Sequence, residues 1–418
     1  MEKKFKYQKL VLYLLISLVP CSNSFAQQGW YKVNAQVGYY GIYFKDLNNG
    51  MVSRYKTSNG GLTWDTMSAG GYNSFPDLNT GYAVGGSLIF KTTNFGINWI
   101  IQLTPSGYSL NSISFINVNT GYACGDAAYL VRTTNGGNNW INVNIPISIE
   151  YFLYNVSFID SLTCYLIGTR YNYSDSASVF LKTTNAGINW TPQYYPQGWG
   201  GNFTSMFFIN INTGYIGTSA HYICKTTNAG TNWNPITIPT MNRIYSLFFI
   251  NAFTGYGSCY GGQILKTTNG GNNWFLQTTP TGSALYSVFF INNLTGYASG
   301  EDYTLLKTTD GGGPPIGIKQ ISNNIPNKFE LNQNYPNPFN PVTKIKFNLP
   351  AVVNGRERSL QLKVYDILGR EITTLVNEQL KPGIYEIDFN GTNYPSGTYF
   401  YTLTAAEYRM TKAMILIK

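Results

Sequence analysis

Cleaving a glycosidic bond takes two carboxylates flanking it, and the long central part of this 418-residue chain offers few of them. Asp126, Asp175, Glu301 and Asp302 fall in segments expected to be loops and are the candidates for such a pair. Gripping a sugar carboxylate with three arginines, beside an acid and a tyrosine nucleophile, is a second possible chemistry. Within the central part only Arg54, Arg132, Arg170 and Arg243 are available for it, and Arg132 fills a position that is lysine in a recurrent motif. His221, the single histidine, has no visible partner for base chemistry, so a loop or core role is expected. Cys124, Cys164, Cys224 and Cys259 lack metal-type spacing and read as small buried hydrophobes, although an exported chain could pair them. No metal or cofactor is expected, and an enzyme is not the favoured reading. Recognition chemistry is better supplied: Tyr171 and Tyr173, in the inserted segment Thr169 to Ser178, and Tyr194, Tyr195 and Trp199, in the loop QYYPQGWGG, lie among Asn and Asp. Aromatic faces with polar neighbours of this kind suit sugars, and the five form a candidate binding patch.

These residues must be positioned by a repeat. KTSNGGLTW, KTTNFGINW, RTTNGGNNW, KTTNAGINW, KTTNAGTNW, KTTNGGNNW and a truncated KTTDGGG begin at 56, 91, 132, 182, 225, 266 and 307. A spacing near 40 residues is that of propeller blades, each of four short strands. In this reading Ser287 to Ile291 is a first strand, Asn292 to Gly296 a turn, Tyr297 the start of a second strand and Leu305 to Thr308 a third. The motif is then the turn into the fourth strand. Asn59, Asn94, Asn135, Asn185, Asn228 and Asn269, with Asp310 in the last copy, accept backbone N–H groups within that turn. The glycine after them takes positive φ, and Trp64, Trp99, Trp140, Trp190, Trp233 and Trp274 begin the outer strands as plugs between blades. Asp46, Asp77 and Asp160 stand where Asn caps other turns. Unit one is abbreviated, with six residues from Gly50 to Lys56 where others have ten or eleven.

The seventh copy lacks its Trp, whereas GWYKVNAQ, residues 29 to 36, is an unclaimed strand resembling NWINVN at Asn139 to Asn144. Trp30 is expected to fill the missing place and the N-terminal strand to complete the last blade. The pattern T-x-N/D-x-G-x-T/N-W, preceded by GY and a Lys-Thr strand, resembles the Asp-box (BNR-type) repeats of sialidases and sortilins. It is most similar to photosystem II stability/assembly factor-like propellers, over roughly residues 29 to 313. Asn replaces Asp in six of the seven motifs, which favours a structural turn over an ion site.

The chain begins MEKKFKYQKLVLYLLISLVPCSNSFAQQ, a basic start, a short apolar run and a small-residue site, the layout of a signal peptide ending at Ala26. A lipid anchor on Cys21 is the alternative, disfavoured by Pro20. No other stretch is apolar enough to span a bilayer as a helix. Residues 27 to 318 carry 12 Lys and Arg against 10 Asp and Glu, whereas residues 319 to 418 carry 12 against 8 in a third of the length. A nucleic-acid binder needs a concentrated basic face, and the central segment has none. GGGPPIGIKQISNNIPN is linker-like, and the alternating segments after it argue for a small β-sandwich.

NYPNPFNP, VYDILGRE and SGTYFYTL, in that order, resemble the type A C-terminal sorting domain of the type IX secretion system. That resemblance implies transit through the periplasm, passage across the outer membrane and engagement with the secretion machinery; an Ig-like module without a sorting role is the alternative. The expected fold is therefore all-β, a seven-bladed β-propeller followed by a small Ig-like β-sandwich. The expected domains are a signal peptide at 1–26, a propeller at 27–313, a linker at 314–327 and a sorting domain at 328–418. The expected function is a non-catalytic surface or secreted scaffold binding a glycan or protein. Alternatives are a glycoside hydrolase or sialidase-like enzyme, or an assembly factor for a membrane complex.

Overall fold

The computed structural model describes residues 29–102, 107–170, 177–196, 201–313, 318–322, 324–351, 360–378, 380, 382–391, 394–405 and 407–418. The expected signal peptide therefore lies outside the described residues. Among those described, the chain is all-β apart from one short 3-10 turn at Tyr260–Gly262, with nine four-stranded antiparallel sheets. Seven of them precede residue 309 and have a propeller-like arrangement; two belong to a separate C-terminal β region.

Six of the seven are simple meanders. The sixth, for example, runs Ile244–Phe249, Gly255–Cys259, Ile264–Thr267 and Phe275–Gln277. The first unit also has four strands despite its abbreviation, all of two or three residues: Ile42–Phe44, Gly50–Val52, Tyr55–Thr57 and Asp65–Thr66. The seventh takes its outer strand from the other end of the sequence. Tyr31 and Lys32 pair with Lys307 and Leu306, beside Gly296–Gly300 and Leu285–Phe290.

The repeated letters each have a job. In the third unit Thr133 Oγ1 donates to Asn135 Oδ1, while Gly137 N donates to Thr133 Oγ1 and Asn139 N to Asn135 Oδ1. The same bonds recur around Asn59, Asn94, Asn185, Asn228 and Asn269. In the seventh unit Gly29 N donates to Asp310 Oδ2 at 2.9 Å, reproducing from the N-terminal strand the bond that Asn139 makes locally. Trp30, 4 % exposed, stands edge-on to Phe290 with centroids 5.7 Å apart, as Trp140 stands to Phe115 at 5.9 Å and Trp274 to Phe249 at 5.8 Å. Trp30 also donates its indole N–H to the buried Gln277 Oε1.

Neighbouring sheets are stitched by the tyrosine of the GY pair, which is Cys164-Tyr165 in the fourth unit. Tyr165, Tyr215 and Tyr256 each stack on the Phe of the following sheet, at 4.1, 4.1 and 3.9 Å. Their hydroxyls donate to carbonyls in turns of that sheet, those of Ile211, Gly270 and Gly311. The motif lysine reinforces the stitch: Lys91, Lys182 and Lys225 donate to the turn carbonyls of Gly136, Ala229 and Gly270. The last link joins the seventh sheet to the first. Tyr297 stacks on Phe44 at 4.1 Å, and both its hydroxyl and Lys307 Nζ donate to Gly60 O.

In the C-terminal region one sheet has the order Ile318–Ser322, Gly383–Asn390, Val342–Leu349, Glu330–Leu331. The other runs Glu371–Glu378, Leu360–Tyr365, Gly397–Ala405, Tyr408–Leu416. Phe347, Tyr385 and Phe389 of the first share one core with Leu362, Val364, Tyr401 and Leu403 of the second. The expected linker at 314–327 thus needs correcting at 318–322, which is an edge strand of this region. Ile318 is buried and pairs with Ile387, and the segment coincides with the step in charge density. Residues 314–317 lie outside the described residues.

Candidate functional site

The inner strands of a propeller-like arrangement should be apolar where they pack and free of bulk where they converge. Five first strands here break register at one residue each: Asn111, Tyr154, Thr204, Tyr245 and Tyr286 are the extra residues of β-bulges. A bulge re-aims a side chain out of the regular alternation. All five line one pocket of about 300 Å³, together with Tyr40, Tyr72, Arg243 and a set of serines that includes Ser112, Ser205, Ser246 and Ser287. Every one of the seven sheets contributes a residue or the segment leading into it.

The wall is a chain of tyrosine rings. Tyr72 lies 5.1 Å from Tyr40, Tyr40 stacks on Tyr286 at 5.0 Å, and Tyr286 meets Tyr245 edge-on at 4.9 Å. Arg243 sits over Tyr245 at 5.2 Å and Tyr154 at 5.5 Å. Its Nε is buried without a hydrogen-bond partner, and no ion pair to it is present among the described residues. A guanidinium held by ring faces alone keeps its donors for an incoming anion.

Glu301 borders this wall. Burial first, then its charge and hydrogen bond, push the Tyr286 hydroxyl up to about 12, and burial with the nearby Glu301 outweighs Arg243 in raising that of Tyr245. Phenols so shifted stay protonated at neutral pH and serve as hydrogen-bond donors; they are poor nucleophiles.

The carboxylates considered for catalysis are engaged locally. Asp126 accepts from Asn111 Nδ2 at 2.9 Å and Asp302 from Ser283 Oγ at 2.9 Å, while Asp175 lies outside the described residues. His221 packs against the Tyr222 ring at 4.0 Å with a buried, unpartnered Nδ1. Asp46, Asp77 and Asp160 accept two backbone N–H groups each in their turns. Cys124, Cys164, Cys224 and Cys259 are buried and unpaired. Among the described residues no group of three or more His, Cys, Asp or Glu converges as a metal site.

The aromatic patch expected on the loops is not assembled by the part that is described. Tyr171, Tyr173 and Trp199 lie outside the described residues. Tyr194 and Tyr195 are not on a loop: they belong to the strand Thr191–Pro196, paired with Val179 and Ser178. Consecutive strand residues face opposite ways. Tyr194 is 53 % exposed and donates to Pro146 O, whereas the half-buried Tyr195 packs its ring 5.1 Å from Phe203. At the ends of the inserted segment 169–178, Thr169 pairs with Ser178 and Arg170 with Ala177, and residues 171–176 lie outside the described residues.

Residues 333–418 match the family described as Secretion system C-terminal sorting domain. No curated protein matches the chain. Among solved structures, YCF48 from Cyanidioschyzon merolae is similar in fold, with a TM-score of 0.55 at 20 % identity over 67 % of this chain and 98 % of that one. YCF48 bound to D1 peptide gives 0.54 at 17 % identity, over 68 % and 97 %. PorZ, an essential surface component of the type IX secretion system of Porphyromonas gingivalis, gives 0.51 at 12 % identity, over 91 % of this chain and 57 % of its own length. No helix among the described residues is long and apolar enough to cross a membrane. The chain thus has a propeller fold similar to the YCF48 structures and ends in a type IX sorting domain, which makes it a protein exported to the cell surface or beyond.

Proposed function

We propose that this is a non-catalytic binding protein of the bacterial surface. In this reading residues 27–313 form a seven-bladed β-propeller closed by the N-terminal strand, an Ig-like sandwich carries the sorting signal, and the first 26 residues are removed on export. The propeller's axial pocket captures an acidic group borne by a glycan or a protein segment. The observation that carries this is Arg243, a half-buried cation with a buried, unpartnered Nε, held against Tyr154 and Tyr245 with no carboxylate partner among the described residues. Tyr40, Tyr72 and Tyr286 add ring faces for a sugar or side chain, and the pocket's 300 Å³ suits one sugar residue or one short terminus. That a YCF48 structure of the same fold was solved with a peptide bound supports a protein segment as one of the two ligand types.

Catalysis is less well supported by the same geometry. Only one arginine lines the pocket, and the tyrosines beside Glu301 are held in their protonated form. The test is a screen of the mature chain against arrays of acidic glycans and acidic peptides, wild type beside Arg243→Gln. Ligands bound by wild type and lost by at least about tenfold in the variant, as for a charged hydrogen-bonded contact, support the reading. Equal binding by both places the site elsewhere.

A further inference from the structure

Turns at a protein surface are ordinarily polar, and one turn of the C-terminal region is not. Between the strands Leu360–Tyr365 and Glu371–Glu378, Ile367 and Leu368 stand side by side, each 74 % exposed. Two adjacent aliphatics make a small continuous apolar surface that a partner can cover, and the backbone holds them there firmly. Asp366 N donates to Arg370 O and Gly369 N to Asp366 O. The Asp366 carboxylate accepts from Leu368 N and Arg370 N, and its other oxygen takes Arg370 Nε at 2.7 Å. Gly369 supplies the positive φ, +77°, that closes the turn. Lys363 and Glu371 pair at 2.9 Å across the strands just behind it.

A presentation this pre-organised lowers the ordering cost of binding. The Arg370 side chain is tied through Nε but is itself 74 % exposed, which leaves its outer guanidinium edge open to a partner in the same turn as the two aliphatics. The turn lies inside the segment that matches the sorting-domain family, whose work is engagement with the secretion apparatus. We infer that the Asp366–Arg370 turn is a docking knob for the type IX machinery: Ile367 and Leu368 enter an apolar pocket of the machinery, and a carboxylate on its rim receives Arg370. This inference rests on the sorting role of the C-terminal region and is independent of what the axial pocket binds.

The test expresses the full chain in a bacterium with a type IX system and measures surface and periplasmic protein for wild type, Ile367→Ser/Leu368→Ser, and a chain lacking residues 328–418. The truncated chain reports on sorting itself: if it reaches the surface, the sorting reading fails whatever the knob does. With the truncation retained in the periplasm, a fall of at least about tenfold in surface protein for the double variant is expected from withdrawing two aliphatic side chains from an apolar pocket. Surface protein within twofold of wild type overturns the inference. A photo-cross-linking residue at 368 in an otherwise wild-type chain covers a folding defect in the double variant. It should trap a secretion component that the same probe at Glu386, on the other sheet, does not; equal trapping at both positions, or none at 368, also overturns it.

Discussion

Replacing Trp30 with alanine removes the plug of the seventh sheet while leaving residues 37 to 313 untouched. The indole is 4 % exposed, packs edge-on to Phe290 and donates to a buried glutamine. Truncating a core Trp costs about 3–5 kcal/mol, and leaving Gln277 Oε1 unpaired adds roughly 1 kcal/mol. At about 2 °C per kcal/mol, the lower end for a large domain, the expected fall in melting temperature is about 10 °C. All eight tryptophans precede residue 275, so tryptophan fluorescence follows the repeat region without interference from the C-terminal sandwich. The melt should also broaden, because Tyr31 and Lys32 pair directly behind the lost plug. A drop below about 2 °C would refute the reasoning, since one uncoupled terminal strand frays without lowering the global transition.

Asp310→Asn should cost about 1 kcal/mol in urea unfolding although asparagine serves at six equivalent positions, because Gly29 N would face an amide donor; no change in midpoint would show that the Gly29 bond contributes nothing. Native thiol titration should find Cys124, Cys164, Cys224 and Cys259 unreactive and all four available in denaturant, burial having pushed that of Cys224 up to about 12 and the others up as well; fast labelling of the folded protein would contradict the burial. The Asp77 carboxyl is held below its ordinary value by the Thr80 and Asn79 N–H groups. Its contribution is therefore present above the unfolded value of about 3.9 and lost as pH falls through the lower folded one. Asp77→Asn should flatten the fall in stability between about pH 4 and 2, and identical slopes would refute this.

The architecture was legible because each blade repeats its own constraints. The T-x-N-x-G turn recurs with one-to-one hydrogen-bond counterparts and its Trp with the same edge-on ring packing, and the truncated seventh copy pointed to residues 29 to 36 as its complement. What sequence reasoning did not reveal were the stitches between sheets. The tyrosine of GY and the lysine of KTT were read as strand residues, yet they donate to turns of the neighbouring sheet, a three-dimensional relation that no single repeat displays. The pocket was missed for a related reason. Bulges at Tyr154, Tyr245 and Tyr286 turn side chains out of regular strand alternation into the pocket, and a first strand read from Ser287 leaves Tyr286 outside it. The paired Tyr-Ser in IYSLFF and LYSVFF, polar letters at one repeated place in otherwise apolar strands, was the available signal. Tyr194 and Tyr195 were misplaced because QYYPQ reads as a proline-bounded loop, whereas strand pairing to Val179 and Ser178 captures it.

The central claim, an exported binding propeller carrying a C-terminal address, is tested most directly by mass spectrometry of both termini of the protein recovered from culture supernatant, outer membrane and periplasm. The account predicts a product beginning near Gln27 in the supernatant or on the outer membrane, with the C-terminal region removed after about residue 313. A full-length chain with its tail intact, confined to the periplasm, would contradict it.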